Sequence, residues 1–460
     1  MSHPPSFRKD PVYEHWRWRI FAITWLAYAG YYLTRKSFSV AKIEMGKPGE
    51  LGLSHTEMAW IDGGFLVAYA LGQFVWGLSG DRFGTRRVIL TGMMGSVVAA
   101  VAMGLAVPEW LPVPLQTAVA SVAGPWGVSV VAFLLGGLFF AQGLFQASGW
   151  APLAKNMAQF FSRLERGTVI GLWCTNYAAG GFIASIFAGY VGERFGWRAA
   201  FLVPAFALAG VWLLFWRFQR NRPEDVGLPP IETYHGEPPE VRPDAESDSS
   251  TDAGGSRWAV AMEVLRTPMV RLLCVIYFCL KPTRYAILFW GPKYIHDRLG
   301  TGMIHSGFLS AMFEAAGPLS VLLAGLFSDK LFGSRRMPVA VICLGLLALL
   351  LFMLDRLPPN AWILGASLFL LGLLTYAPDS LVSGTAALDF GSKRGASTAS
   401  GIINGCGSIG AIVGGTLPGF LQEQGGWHAV FTFLGAAVLL AALLLLPRWN
   451  TLPSPAAKAT

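Results

Sequence analysis

Apolar and polar blocks alternate along the chain, and the apolar ones recur twelve times. They lie at about 17–38, 57–79, 87–107, 128–154, 167–191 and 198–217, then at 268–291, 306–328, 337–355, 361–386, 397–421 and 428–447. Each is close to the ~20 residues an α-helix needs to cross a ~30 Å hydrocarbon core. The pattern predicts an all-α membrane protein with twelve transmembrane helices in two pseudo-symmetric six-helix bundles, 1–217 and 268–460, joined by a cytoplasmic linker at 218–267. Residues 236–255 of the linker are rich in Pro, Asp, Glu and Ser and hold too little apolar surface to fold alone.

Composition sharpens this reading. Of the 460 residues, 53% are hydrophobic and 13% charged, about half the share usual in a soluble protein. The first 16 residues are polar and the first apolar run has no small-residue cleavage site, so no removable signal is expected. Cys174, Cys274, Cys279, Cys343 and Cys406 stand singly in apolar runs, which predicts packing residues rather than disulfides or metal ligands. The net charge of +8 does not point to nucleic acid, because the basic residues gather on alternate loops. With the N-terminus inside, that face carries about 23 Lys and Arg and the other about 7, and 108–127 has none. Both termini are therefore expected in the cytoplasm, with the protein multi-pass in the inner (plasma) membrane.

The halves echo each other. Gly77, Asp81, Arg82, Gly84, Arg86 and Arg87 follow span two, while Gly325, Asp329, Lys330, Gly333, Arg335 and Arg336 follow span eight. The two Asp residues are 248 positions apart. Phe195, Gly196, Trp197 and Phe201 are matched by Gly425, Gly426, Trp427 and Phe431. Two related bundles in parallel register around a central cavity are the expected architecture of a rocking transporter. Acidic and basic residues at the repeated turns are candidates to tie helix ends as the bundles switch.

Ionisable residues at membrane depth are costly unless they face protein or water. Arg35 ends span one and Arg284 lies within span seven, 249 positions on, so the repeat sets them at matching heights across the cavity. Two guanidinium forks suit bidentate contact with phosphate oxygens. Tyr28 and Tyr32 share the Arg35 face. The alternative for Arg35 is snorkelling to the membrane surface. Lys281, one turn before Arg284, is either a third phosphate ligand or the partner of Glu314 or Asp379. Asp379 is equally a pairing or a proton-coupling candidate. Lys36, about 100° round the helix from Arg35, is either an accessory charge or an interface anchor. Arg35, Lys36, Lys281 and Arg284 against Glu314 and Asp379 leave about +2, matching a phosphate dianion. Glycines at 180, 181, 405, 407, 410, 414 and 415 are expected to let helices approach closely.

The turn at Gly77–Arg87 resembles the signature loop of the major facilitator superfamily. Tyr31-Tyr32-Leu33 before Arg35-Lys36, Phe145-Gln146 before Gly149-Trp150 and Pro152, Glu165-Arg166-Gly167, and Arg222-Pro223 before Gly227-Leu228-Pro229-Pro230-Ile231-Glu232 resemble the organophosphate:phosphate antiporter family over nearly the whole chain. The resemblance implies Arg35 and Arg284 as the phosphate-binding pair of a rocker-switch exchanger. Where the family's glycerol-3-phosphate carrier has a span-two lysine this chain has Gln73, and where that carrier has a span-five histidine it has Tyr177, or Asn176 if the register slips by one. Lys281 resembles the span-seven lysine of the animal sugar-phosphate exchangers. The expectation is a monomeric exchanger of a phosphorylated small metabolite for inorganic phosphate, without cofactor or metal and not an enzyme. A sugar-phosphate sensor and a proton-coupled symporter of another anion stand as alternatives.

Overall fold

The computed structural model describes residues 10–106, 113–124, 127–235, 262, 265–333, 335–382 and 396–450. They form α-helices α1 (Pro11–Met45), α2 (His55–Phe83), α3 (Thr85–Leu105), α4 (Val113–Ala123), α5 (Val130–Gln146), α6 (Trp150–Phe160), α7 (Arg163–Trp173), α8 (Thr175–Phe195), α9 (Ala199–Phe218) and α10 (Ile231–His235). The second half holds α11 (Pro268–Leu299), α12 (Met303–Lys330), α13 (Arg336–Leu354), α14 (Ala361–Ser380) and α15 (Ala396–Leu445). Nine stretches of the described residues are long and apolar enough to cross a membrane. The predicted spans four and five each run through two helices, α5–α6 and α7–α8, and α15 contains spans eleven and twelve, parted at Gly425–Gly426. Spans one and two are α1 and α2, which are not among these nine.

The elements begin where local chemistry lets them. The Asp10 side chain accepts from the Val12 amide at 2.9 Å and Pro11 opens α1, so that helix runs well beyond its apolar window at both ends. Ser54 and Glu57 cap each other's amides at the start of α2. The repeated turns require glycine in both halves: Gly84 (φ +80°) answers Gly333 (φ +56°), and Gly196 (φ +84°) answers Gly426 (φ +65°). Arg86 is tied at its turn, its amide donating to Asn221 at 2.9 Å, while Arg335 reaches Asn450 at 3.3 Å. Arg82 and Lys330 are exposed. The side chains of Asp81 and Asp329, and the burial of Gly77, lie outside the described residues.

One expectation changes. The basic-free loop at 108–127 contains a helix, α4. The start of the linker also carries structure, for Pro223–Val226 form a 3-10 turn and α10 follows. Ile231 is buried, Tyr13 donates to the Pro229 carbonyl at 3.0 Å, and Tyr234 stacks on Tyr13 with centroids 3.8 Å apart. A few aromatic and proline contacts thus clasp the first third of a polar stretch onto the foot of α1. Residues 236–261 lie outside the described residues.

Each half has its own buried cluster, one running from Ile20 to Phe215 and the other from Val270 to Leu445. A third, from Phe38 to Met303, is shared by both halves at the end remote from the termini, called here the far end. Large apolar side chains such as Trp362, Phe206 and Leu322 point outward, as a lipid-facing surface requires. Lipid is as apolar as a core, so close packing and hydrogen bonds must hold such helices together. The seams between halves run along α8–α12 and α2–α15. They are close: a Cβ on Gly307 would lie 2.6 Å from the Ser185 carbonyl oxygen, and one on Gly189 2.7 Å from that of Met303. Gly63 abuts the Thr416 side chain, and Gly415 that of Leu66.

Candidate functional site

The buried charges converge where α1, α2 and α5 meet α11, α12 and α14. Arg35 is 5% exposed, so it does not snorkel to the membrane surface. Its Nε donates to Gln146 Oε1 at 2.9 Å, and its guanidinium lies 4.6 Å from the Tyr32 ring centroid and 4.9 Å from that of Tyr69. Rings hold a cation through their quadrupole without neutralising it. Arg35 has no acidic partner among the described residues.

In the other half, Arg284 Nη1 and Lys281 Nζ each lie 3.1 Å from one oxygen of Asp379. Arg284 is flanked by Tyr376 and Tyr177, with centroids 4.8 and 5.2 Å away, and Lys281 lies 4.6 Å from the Tyr277 centroid. Lys281 therefore pairs with Asp379 rather than Glu314. Glu314 meets Lys36 instead, at 3.2 Å, and that ammonium also donates to the Leu288 carbonyl at 2.9 Å. Lys36 is thus a buried bond between the halves and not an anchor in the membrane interface. Glu314 stands within electrostatic range of both arginines. Its seat exists because Gly181 is opposite, where a Cβ would come within 2.5 Å of the carboxylate.

Tyr28 is buried against Tyr32 and Trp150, in edge-to-face contacts with centroids 6.0 and 5.2 Å apart. At the two span-five positions, Tyr177 is the one beside Arg284, whereas Asn176 is fully buried with neither side-chain polar atom hydrogen-bonded among the described residues. Gln73 is exposed, one turn beyond Tyr69 on the same face of α2.

A further buried pair joins these groups. Lys42 and Asp62 are fully buried and hydrogen-bonded to each other, and Lys42 also donates to the Phe289 carbonyl at 3.0 Å and lies 3.9 Å from the Trp290 ring centroid. Asp62 lies inside the predicted second span, where a carboxylate at membrane depth is itself a signal. Lys42 was hidden because apolarity stops at residue 38 while the helix continues to Met45. Lys36 cancels Glu314, Lys42 cancels Asp62, and Asp379 is shared by two cations, so the cluster keeps two positive charges in excess. Low dielectric makes such an excess a strong attraction for an anion.

The far end of the molecule is shut by polar bonds between halves. Ser39 donates to the carbonyls of Leu288 and Phe289 at 3.1 and 3.0 Å, Thr56 N donates to Glu423 at 2.8 Å, and Ile304 N donates to Glu193 at 2.8 Å. Leu288 can accept from α1 because Pro292, four residues on, has no N–H to offer it.

Known proteins fit this arrangement. The family profile of the Major Facilitator Superfamily matches residues 24–414 and 307–460. A probable hexose phosphate transport protein of Chlamydia pneumoniae is 29% identical, covering 95% of this chain and 92% of its own. The membrane sensor protein UhpC of Salmonella typhimurium is 30% identical, with 96% and 93% covered, and the glycerol-3-phosphate transporter of Bacillus subtilis is 28% identical, with 96% and 95% covered. Among solved structures, a bacterial homologue of the human lysosomal transporter Spinster superposes with a TM-score of 0.69 at 16% identity, covering 97% of this chain and 98% of that one. That likeness concerns the fold. Family and fold together make the chain a multi-pass secondary transporter and not an enzyme. It belongs to the Major Facilitator Superfamily, and its relatives place it with the organophosphate:phosphate antiporters that its motifs resemble.

Proposed function

We propose that the protein exchanges an organic phosphate, of the sugar-phosphate or glycerol-phosphate kind, for inorganic phosphate by alternating access. The observation that carries this is Arg35: a buried guanidinium with aromatic walls and no acid, in a cluster two positive charges in excess. Phosphate oxygens would take the Arg35 fork from one half and draw Arg284 and Lys281 off Asp379 in the other. Residues 1–217 and 268–460 would move as the two bodies, with 218–267 between them and both termini in the cytoplasm of the inner membrane. Closing on one anion gives the differential affinity a switch needs. Tyr28, Tyr177 and Gln73 border the organic moiety in this reading. The turn residues around Arg86 and Arg335 hold helix ends at the cytoplasmic side.

The test is counterflow in phosphate-loaded vesicles against phosphorylated C3, C5 and C6 compounds. At least one compound should exchange, and Arg35→Lys or Arg284→Lys should each cut the rate by a hundredfold or more, because an ammonium keeps the charge but loses the fork. Near-normal exchange by both variants would remove the pair from the site. One relative is a sensor, which supports a second reading, binding without exchange. Saturable binding with no counterflow would establish it.

A further inference from the structure

The two arginines are held by different chemistry. Arg284 rests on a carboxylate, whereas Arg35 rests on the neutral amide oxygen of Gln146. Gln146 is fully buried, and its orientation is fixed. Its Nε2 donates to the Tyr31 carbonyl at 3.3 Å and to Thr34 Oγ1 at 3.0 Å. A carbonyl only accepts, so the amide nitrogen must face the Tyr31 carbonyl and the oxygen must face Arg35. One bond at Nε together with the Tyr32 and Tyr69 rings beside the guanidinium restrains its rotation. What remains is the edge formed by the two terminal nitrogens, and Nη2 is buried without a hydrogen-bond partner among the described residues.

We propose that Gln146 is a positioning residue: it fixes the terminal edge of Arg35 toward the anion without cancelling the charge that attracts it. The inference rests on Arg35 being a phosphate ligand. Glutamate at this position would grip Nε as well, but would neutralise the guanidinium and compete with phosphate for it. Leucine would leave the charge and free the fork to turn. In that case the pre-organised bidentate contact is lost and the point charge remains.

A double-mutant cycle on the full-length protein in detergent tests this, with inorganic phosphate binding followed by ligand-dependent thermal shift up to high millimolar concentrations. Gln146→Leu should weaken phosphate about tenfold. Arg35→Lys should weaken it more, and the double variant should match Arg35→Lys alone, because a group that only aims the fork has nothing to do once the fork is gone. Losses that multiply in the double variant, or an unchanged affinity in Gln146→Leu, would overturn the assignment. If Gln146→Leu does not fold, Gln146→Glu serves, since it keeps the shape and the acceptor. It should bind phosphate at least tenfold more weakly at neutral pH, and wild-type affinity there would refute the role of the uncharged amide. Full phosphate affinity in Arg35→Lys would defeat the underlying phosphate reading, whereas a weakened Arg35→Lys beside a silent Gln146→Leu would defeat the Gln146 inference alone.

Discussion

Asp379 sits where a substrate oxygen would compete with it, since its two oxygens already engage Lys281 and Arg284. Asp379→Asn should therefore bind phosphate more tightly, with a half-saturation concentration lower by about tenfold, the worth of one charge-assisted bond. Maximal exchange should fall, because nothing returns the cations to their resting pairing. Initial-rate exchange across phosphate concentrations reads both numbers, and a raised half-saturation would instead make Asp379 the orienter of Arg284. This pairing was legible in part. Arg35, Arg284, Lys281, Glu314 and Asp379 stand out because charge inside an apolar run is expensive. Which acid meets which base was not legible, because that depends on how α11, α12 and α14 cross. Gln146 is quieter still: an uncharged polar residue beside Ala147 and Ser148 gives hydropathy nothing to flag.

At the scale of the element, a proline in α11 does more than omit a hydrogen bond. Removing the amide at 292 leaves the Leu288 carbonyl to Lys36 and Ser39, so a defect in one helix becomes a bond to another. Pro292→Ala would supply the missing N–H and offer that oxygen its ordinary partner four residues on. The far end should then open more readily. Spin labels on either side of it should show a longer-distance population that grows in the variant, while an unchanged distribution would separate Pro292 from the seal. Helix existence could be read from apolar runs throughout. Helix ends could not: α1 extends to Met45 because caps and tertiary partners, not hydrophobicity, decide where a helix stops. The repeated turns could be found from sequence because a positive φ demands glycine at Gly84 and Gly333 alike.

At the scale of the whole molecule, hydrogen bonds join the two halves at the far end, and the buried Lys36–Glu314 pair joins them deeper in. Near the termini the clasp of Tyr234 on Tyr13 ties the linker to α1, within the first half. Burial, with the negative charges of Glu224 and Glu232 behind it, raises the Tyr13 phenol above its ordinary value, and burial with Glu14 does the same for Tyr234. A phenol whose pKa is raised on docking stabilises the docked form in full below its free value of about 10, and that stabilisation is lost progressively as pH rises from there toward the raised value. The clasp should hold at pH 8 and loosen toward pH 11. Labels at Val12 and Thr233 should separate over that range, and a constant distance would show that the clasp does not depend on protonated phenols. The two-bundle architecture was legible from the internal repeat, but this clasp was not, since a proline-rich polar stretch gives little sign of the one aromatic ring that anchors it.

The seam beside Gly307 and Gly189 is a bearing without teeth. Interlocked side chains would give the halves a remembered registry and a barrier to leaving it. Bare peptide against peptide gives neither, so this seam adds little stiffness to the angle between the halves. The resting posture is then set by the far-end hydrogen bonds and the buried Lys36–Glu314 pair, and any solute that outbids a few of them can tilt the entire structure.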